Sequence, residues 1–253
     1  MHEVAERGFG SEAQTYERVR PGYPVEVVDW LADNLRLAAG TTVLDLAAGT
    51  GKLTRLLTST GAIVLAAEPV AGMRAVLRRS VTGVPVVAAG AEALSFADGA
   101  LDAVTVAQAF HWFDREAASR EVARVLRPRG RLGLVWNARD RSIDWADHVW
   151  GVMDRVEKRA PWRDHDQIRA TVGDGLPGFG ELHEATFRHA QATTPSEVVD
   201  RIASVSHVAV LPPAQRATVL DEVRDLLATH PDTAGRTRLE LEYRVDAYWC
   251  ERA

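Results

Sequence analysis

Two glycines and two carboxylates in the first third of the chain have the types and spacing of a nucleotide site. Gly49 and Gly51 follow an apolar run that contains Asp45, and Glu68 ends the next apolar run. Glycines let a backbone approach a ligand closely. A carboxylate at the end of a second strand can accept hydrogen bonds from both ribose hydroxyls, as in dinucleotide folds. Residues 45–51, which we call the glycine turn, therefore predict a ligand that contains a ribose.

Two other glycine-rich motifs compete for this segment. A phosphate-binding loop needs a glycine where Leu46 stands and a metal-binding hydroxyl where Leu53 stands, so that interpretation fails twice. A nicotinamide-dinucleotide fingerprint matches at Gly49 and Gly51 but has Thr54 at its third glycine. A nicotinamide-dependent oxidoreductase therefore stays an alternative at this point.

Asp45 discriminates between the remaining interpretations. S-adenosyl-L-methionine has no pyrophosphate, but its methionine ammonium can be bound by a nearby carboxylate, whereas a dinucleotide would be repelled by that charge. Asp45 as a helix cap or turn residue, and Glu68 as a surface carboxylate, are the structural alternatives. A protein of this fold that binds the cofactor without transferring a methyl group is a further functional alternative.

Four segments in the same order extend the pattern beyond the glycine turn: VLDLAAGTGKLT, AAEPVAGM, AEALSFADGALDAVTVAQAFHWFD and EVARVLRPRGRLGLVWNARD. Together they resemble the class I S-adenosyl-L-methionine-dependent methyltransferases, in particular the small-molecule subgroup called type 11. The segment TYERVRPGYP and the late helices resemble the trans-aconitate methyltransferase-like branch more loosely. The resemblance implies methyl transfer to an O, N or C nucleophile of a small molecule, with S-adenosyl-L-homocysteine as product.

The resemblance also implies which residues hold the cofactor. Gly49 and Gly51 would pass under its methionine and ribose, and Glu68 would bind the ribose. Asp45 and Ala47 of the turn are further candidate cofactor contacts, and the resemblance adds Pro69, Met73, Ala91, Glu92 and Gln108. Tyr16, Arg20 and Tyr23 of the N-terminal arm either close over the cofactor carboxylate or bind an acidic substrate; the structural alternative is that residues 20–24 form a rigid entry to a helix. Pro69 and Met73 would flank adenine, Ala91 and Glu92 would lie at the adenine edge, and Gln108 would lie at the methionine end.

Two positions depart from the family pattern. Ala47 replaces the usual first glycine of the turn, so the turn must accommodate a methyl group. Gly90 stands where an acidic or hydroxyl residue often precedes Ala91 and Glu92. Backbone atoms would then recognise the adenine amine.

Aromatic residues mark a candidate acceptor site. His111 and Trp112 follow the fourth apolar run, where the methyl group would be presented, and ring faces attract a sulfonium. His111 is the candidate general base because its ordinary pKa lies near neutrality; its alternative role is packing of the loop. Tyr23 and Trp145 complete the predicted substrate pocket, with Trp150 and Trp162 as further members of a cap. The alternative for the three tryptophans, which have helical spacing, is packing in the core.

The elements that position these residues alternate between strands and helices. Apolar runs at 42–46, 62–67, 84–88, 101–107 and 132–136 predict five parallel strands, separated by helical patterns such as 52–58, 70–79 and 115–126. Alternating patterns at 182–191 and 237–248 predict an antiparallel C-terminal pair. We expect an α/β fold with a doubly wound, Rossmann-like, seven-stranded sheet, helices on both faces and a helical cap.

The whole chain, residues 1–253, is expected to form one methyltransferase domain. Its core would comprise about 38–138 with the strands near 182–191 and 237–249, and its cap 1–37, 140–180 and 193–235. Helical patterns at 143–159, 195–206 and 213–230 build most of that cap, with a loop at 172–180.

Composition limits the partners. The net charge is −5 and lysines and arginines are scattered, so nucleic acid is not expected. Cys250 is the only cysteine, and no metal is expected, since no ligand spacing is found at His165, His183, His189 and His207. No membrane span or secretory signal is visible, which favours a cytoplasmic protein that binds a small-molecule acceptor as a monomer or homodimer.

Overall fold

The computed structural model describes residues 13–157, 172 and 175–253. Trp162 and His165 lie outside the described residues. The helices are α1 (Ala13–Val19), α2 (Val25–Leu35), α3 (Lys52–Leu57), α4 (Ala71–Ser80), α5 (Arg115–Val125), α6 (Asp144–Glu157), α7 (Pro195–Ala203), α8 (Ser206–Ala209) and α9 (Pro213–Thr229). The strands are β1 (Thr42–Leu46), β2 (Ile63–Ala67), β3 (Val86–Val87), β4 (Leu101–Ala107), β5 (Leu126–Arg139), β6 (His183–Thr193) and β7 (Leu239–Glu251). Short 3₁₀ turns span Thr58–Thr60 and Phe110–Trp112.

The strands form one seven-stranded sheet in the order β3-β2-β1-β4-β5-β7-β6. The pairs from β3 to β5 are parallel, and β7 runs antiparallel to both β5 and β6. The chain order reverses direction across the sheet between β1 and β4, so the carboxyl ends of these strands flank a crevice that suits a ligand. The predicted fold class is confirmed.

Burial on both faces explains why the central strands read as continuous apolar runs. In β1, Leu44 packs into a cluster with Val122 of α5, whereas Val43 packs into a cluster with Leu31 of α2 and Leu53 of α3. Successive side chains of a strand point to opposite faces. Helices therefore cover both faces of the sheet, as a doubly wound fold requires.

The cap has its own apolar cluster. Helices α6, α7 and α9 contribute residues such as Val149, Ile202 and Val223, and the first half of β7 contributes Leu241 and Tyr243. Helix α1 packs against α7 on one side and α4 on the other. In the described part of the chain, no helix is long and apolar enough to cross a membrane.

Several elements differ from the sequence-based expectation. The helix predicted over 195–206 ends at Ala203 and α8 follows as a separate short helix, and the strand predicted at 84–88 is limited to Val86–Val87. Helix α1 was not predicted, because its short sequence AQTYERV buries only Ala13 and Val19. Strand β5 begins at Leu126, well before the predicted 132, because Leu126 pairs with Leu101. The register then shifts between Leu101 and Ala103, so the tight Arg-Pro-Arg-Gly segment forms an irregularity within a strand instead of a separating turn.

Candidate functional site

The glycine turn alternates into the left-handed region of backbone space. Ala47, Gly49 and Gly51 have φ angles of 55°, 57° and 89°. Glycine adopts this conformation without steric cost, whereas a residue with a Cβ is strained by roughly 1–2 kcal/mol. Ala47 therefore adopts the left-handed conformation that favours glycine, despite its methyl group. The resulting strain lies where β1 meets the two cavities described below.

Glu68 ties the glycine turn to the end of β2. Its Oε2 accepts a hydrogen bond from the Gly49 amide at 2.9 Å, and its Oε1 accepts one from the Val70 amide at 2.8 Å. The side chain is 4% exposed. Burial raises the pKa of Glu68 above its ordinary value, and the two amide hydrogen bonds oppose that shift. Each carboxylate oxygen keeps acceptor capacity for a further donor.

Asp45 is buried under the turn. Its Oδ2 accepts a hydrogen bond from the Thr54 hydroxyl at 2.6 Å, and its Oδ1 accepts one from Thr105 at 3.2 Å. Burial raises the pKa of Asp45 from 3.8 to about 7, with a smaller contribution from nearby Glu68. Asp45 therefore combines a structural role, fixing α3 and β4 against β1, with a place in the wall of a cavity.

The first cavity, which we call the apolar cavity, lies between the glycine turn, the end of β2 and the end of β4. Most of its walls are aliphatic or aromatic, and Glu68 is its buried carboxylate. It is lined by Tyr16, Leu46, Ala47, Gly49, Glu68, Pro69, Val70, Met73, Ala89, Gly90, Ala91, Glu92, Ala107, Gln108, Ala109, Trp112 and Phe113. A flat apolar group that carries hydroxyls at one edge fits this combination.

The second cavity, which we call the polar cavity, lies between the glycine turn and the segment that carries Arg20 and Tyr23. It is lined by Tyr16, Arg20, Pro21, Tyr23, Asp45, Ala47, Ala48, Gly49, Thr50, Lys52, Leu53, Ala107, Gln108, Asn137 and Arg201. The two cavities share Tyr16, Ala47, Gly49, Ala107 and Gln108, so together they form one elongated site.

Gln108 stands at the end of β4, between the two cavities. Its φ of 59° is left-handed, which is uncommon for a residue with a side chain. Its amide donates to the carbonyl of Val135, and its Nε2 donates to the carbonyl of Asn137 at 3.2 Å. Both bonds hold the strained backbone to β5. Backbone strain of this kind concentrates at functional sites.

Ala91 and Glu92, which are predicted to lie at the edge of adenine, stand between the two residues of a short β-bridge, Gly90 and Ala93. The Oε1 of Glu92 accepts a hydrogen bond from the amide of Asp114, at the start of α5. Glu92 is therefore oriented by a helix end while it lines the apolar cavity. Asp114 itself caps α5, because its side chain accepts from the amide of Ala117.

The structure gathers most of the sequence-predicted residues into this site, with three exceptions. Gly51 does not line either cavity: it starts α3, and a Cβ there would lie 3.0 Å from Val81. Trp145 is buried in the cap cluster, because its place on the apolar face of α6 directs it toward α7 and α9. His111 lines neither cavity, and its Nδ1 lies 3.5 Å from the Nε1 of Trp136.

Several lining residues were not predicted as site residues, and three of them carry an unsatisfied polar atom. Among the described residues, Thr50, Asn137 and Arg201 each have a buried polar atom without a hydrogen-bond partner, and all three line the polar cavity. Asn137 ends β5, and Arg201 lies on α7, far along the chain from the glycine turn. A signal existed for Arg201: it shares the buried face of its helix with Val198 and Ile202, where a charged residue is unusual.

One group of potential metal ligands occurs among the described residues. Ligand atoms of Asp144, His148 and His230 lie within 4.8 Å of one another in the cap. The His230 Nε2 lies 3.0 Å from the carboxylate of Asp144. None of the three lines the apolar or the polar cavity.

Comparison with known proteins identifies the family. Residues 44–134 match a family described as "Methyltransferase domain". The chain is 42% identical, over 235 residues, to an uncharacterized methyltransferase of Mycobacterium tuberculosis, which covers 93% of this chain and 91% of that protein. It is 32% identical, over 247 residues, to an uncharacterized methyltransferase-like protein of Schizosaccharomyces pombe, covering 96% and 95% of the two chains.

A solved structure shows the same fold with the product of the cofactor bound. It is that of phosphoethanolamine N-methyltransferase 2 of Haemonchus contortus in complex with phosphomonomethylethanolamine and S-adenosylhomocysteine. The TM-score is 0.56 at 14% identity, and the match covers 99% of this chain and 59% of that one. The fold and the near full-length relatives agree, and the chain belongs to the class I S-adenosyl-L-methionine-dependent methyltransferases.

Proposed function

We propose that this methyltransferase binds S-adenosyl-L-methionine across both cavities and transfers its methyl group to an O, N or C nucleophile of a small molecule. The observation that carries the proposal is the position of Glu68. Its buried carboxylate lies between the glycine turn and the apolar cavity, and both of its oxygens already face backbone donors. A ribose at this place would add its hydroxyls to a preformed acceptor.

The apolar cavity is the proposed adenosine end. Pro69 and Met73 would cover the two faces of adenine, and Ala91 and Glu92 would lie along its edge. Because Gly90 offers no side chain, the backbone of this bridge would recognise the adenine amine. A largely apolar pocket with few polar groups suits a flat heterocycle.

The polar cavity is the proposed methionine and acceptor end. Asp45 and the backbone of the glycine turn would bind the ammonium, and Gln108 would fix the chain between the two ends. Tyr16 and Arg20 would close over the methionine carboxylate, since the Arg20 guanidinium stacks on the Tyr16 ring at 4.9 Å. Trp112 and Tyr23 are the proposed walls next to the acceptor.

The bound cofactor supplies an already activated methyl group. The protein's contribution is then to position the acceptor in line and to exclude water from the sulfonium. Aromatic rings such as Trp112 can stabilise the positive charge while the site is closed. His111 lies outside both cavities, so we propose positioning and desolvation, without a dedicated base, as the main sources of rate.

Calorimetry with S-adenosyl-L-homocysteine, followed by a methyl-transfer assay, tests this proposal. We expect binding of one equivalent and release of S-adenosyl-L-homocysteine with at least one acceptor from a panel of small O, N and C nucleophiles. Binding without transfer across the panel would favour a protein that keeps the cofactor for another purpose. Absence of binding would reject the assignment of both cavities.

Several finer expectations remain predictions. They are the resemblance of the N-terminal segment to the trans-aconitate methyltransferase-like branch, the single-domain organisation, the monomeric or homodimeric state and the cytoplasmic location. Sedimentation of the purified protein at two concentrations would decide between a monomer and a homodimer.

A further inference from the structure

Arg201 is a buried cation that forms no ion pair with any residue that the structure describes. It is 9% exposed, and its Nε and Nη1 atoms have no hydrogen-bond partner among the same residues. The neighbouring Asp200 pairs instead with Arg18, at 2.7 Å. An unpaired charge in a protein interior is costly, so a residue of this kind is retained where a ligand completes it.

The surroundings of Arg201 add positive charge. Arg20 lines the same cavity, and among the described residues its guanidinium donates to Ser204, through the hydroxyl at 3.2 Å and the carbonyl at 2.9 Å. Burial, and then the charge of Arg201, lower the pKa of Arg20 to about 9, so Arg20 remains cationic at neutral pH. The Arg201 guanidinium also lies 6.0 Å from the ring of Trp150, which supplies no negative charge.

The polar cavity contains too little negative charge to balance these groups. Asp45 is its lining carboxylate, and its hydrogen bonds go to Thr54 and Thr105. Lys52 also lines the cavity, but its charge is paired: its Nζ donates to the carbonyl of Glu17 and lies 3.7 Å from the Glu17 carboxylate, so the unbalanced cations are Arg20 and Arg201. The whole chain is acidic, with a net charge of −5, so this local excess of cations is a property of the cavity.

We propose that Arg201 is a carboxylate-binding residue of the polar cavity. The inference rests on the proposed function, because the cavity is the methionine and acceptor end of that site. A guanidinium with free Nε and Nη donors matches a carboxylate. The carboxylate belongs either to the methionine part of the cofactor or to the acceptor. One methionine carboxylate neutralises one of the two guanidiniums and leaves the other for an acidic acceptor.

Substitution of Arg201 by methionine and by lysine tests the assignment. The first ligand pair is S-adenosyl-L-homocysteine, which has a carboxylate, and 5′-methylthioadenosine, which has none. The second pair is hexanoate and hexanamide, titrated into the protein saturated with S-adenosyl-L-homocysteine. Arg18→Met is the matched control, since it removes the same charge next to α7 without touching either cavity.

Two results support the proposal and identify the source. If the cofactor supplies the carboxylate, Arg201→Met weakens the binding of S-adenosyl-L-homocysteine at least about tenfold and leaves the affinity for 5′-methylthioadenosine unchanged. The affinity of Arg201→Lys for S-adenosyl-L-homocysteine then lies between those of the wild type and Arg201→Met. If the acceptor supplies the carboxylate, the variant binds both nucleosides with wild-type affinity and binds hexanoate at least about tenfold more weakly. Its affinity for hexanamide is then unchanged. In both cases the ligand-free Arg201→Met protein melts at a higher temperature than the wild type, because an unpaired charge is gone.

Three results overturn it. Equal weakening of both nucleosides, with a lower melting temperature, would assign Arg201 to the structure of the cap. Unchanged affinities for all four ligands would remove it from the site. A wild-type protein that binds neither nucleoside would reject the proposed function together with this inference, whereas binding without any effect of the substitution rejects the inference alone.

Discussion

The amide of Gly49 donates a hydrogen bond to the carboxylate of Glu68 across 2.9 Å, linking the turn after β1 to the end of β2. The same carboxylate accepts from the amide of Val70, before α4. One buried side chain thus fixes three backbone segments that surround the apolar cavity. A ligand that hydrogen bonds to Glu68 would meet a group whose position is already set, so little ordering is needed on binding.

Glu68→Gln should remove discrimination for ribose hydroxyls. The glutamine amide would face a backbone donor, and the variant would lose the charge that strengthens bonds to hydroxyls. We expect the wild type to bind adenosine at least about tenfold more tightly than 2′,3′-dideoxyadenosine, since a hydrogen bond to a charged group contributes about 1.5–3 kcal/mol. The variant should bind the two nucleosides within about threefold of each other by calorimetry.

Glu92→Gln is the control for that experiment. Glu92 is a second carboxylate on the wall of the same cavity, and its Oε1 binds the amide of Asp114. We expect this variant to keep the wild-type preference for adenosine. If Glu68→Gln also keeps it, the ribose assignment is wrong.

Ala47→Gly should stabilise the protein. Ala47 is held at a φ of 55°, where a Cβ costs roughly 1–2 kcal/mol, and glycine removes that cost. The greater freedom of glycine in the unfolded chain offsets part of the gain, by about 0.4–1 kcal/mol. We expect the unfolding free energy to rise by up to about 1 kcal/mol in urea denaturation.

Ala48→Gly is the matched control, because Ala48 is not among the residues with positive φ. The same change there should lower the unfolding free energy by roughly 0.5–1 kcal/mol. Equal destabilisation by the two substitutions would show that Ala47 is not strained.

The central sheet was predictable because its strands are buried on both faces. Runs such as Leu101–Ala107 have few alternative structures, and the bounds of β4 match the expectation. The Glu68 position was equally readable, since it depends on a local strand-turn-helix pattern. The start of β5 was not, because the pairing of Leu126 with Leu101 is a tertiary contact that overrides a strong turn sequence.

The cap side of the site was much less predictable. Asn137 and Arg201 reach the polar cavity only because β5 and α7 meet there in the fold. Trp145 has the residue type of a pocket wall, but helix periodicity placed it in the cap cluster. Local motifs identify the cofactor end, whereas contacts between distant segments build the other end.

Asp45→Asn should change how stability depends on pH. The folded protein raises the pKa of Asp45 from 3.8 to about 7, so between these values it holds a proton that the unfolded chain has released. The wild type therefore loses stability from this group as pH rises through that range. Asparagine does not titrate, so the stability of the variant relative to the wild type should increase by roughly 2–3 kcal/mol from pH 5 to pH 8.

Urea denaturation of both proteins at pH 5, 6, 7 and 8 measures this difference. Above pH 8 it should stay constant, because Asp45 is then ionised in both the folded and the unfolded states. A difference that does not change with pH would mean that Asp45 titrates at its ordinary pKa. A difference that shrinks as pH rises would mean that the fold favours the ionised carboxylate.

Alanine substitutions should separate the roles of the two glycines. A Cβ on Gly49 would meet no protein atom within 4 Å, but Gly49 lines both cavities. Gly49→Ala should therefore weaken the binding of S-adenosyl-L-homocysteine at least about tenfold. A Cβ on Gly51 would lie 3.0 Å from Val81 and 3.1 Å from Leu77. Gly51→Ala should therefore lower the unfolding free energy by about 2–4 kcal/mol. Its affinity for S-adenosyl-L-homocysteine should stay within about threefold of the wild-type value.

Calorimetry and urea denaturation of both variants test this separation. Both substitutions place alanine at a positive φ, so Gly49→Ala should also lose about 1–2 kcal/mol of stability. The prediction fails if Gly51→Ala folds as well as Gly49→Ala and has the larger effect on binding.

His111→Ala should leave methyl transfer nearly intact. His111 does not line either cavity, and its Nδ1 faces the indole of Trp136. Removal of a general base typically lowers turnover by about 10²–10⁴-fold. We expect kcat for the first acceptor found in the panel to stay within about tenfold of the wild type, with the same pH profile.

Trp112→Ala is the comparison, because the adjacent Trp112 does line the apolar cavity and its loss should weaken the binding of S-adenosyl-L-homocysteine. A fall in kcat beyond a hundredfold in His111→Ala, with unchanged cofactor affinity and loss of the basic limb of the profile, would instead make His111 the base and require its ring to turn toward the acceptor.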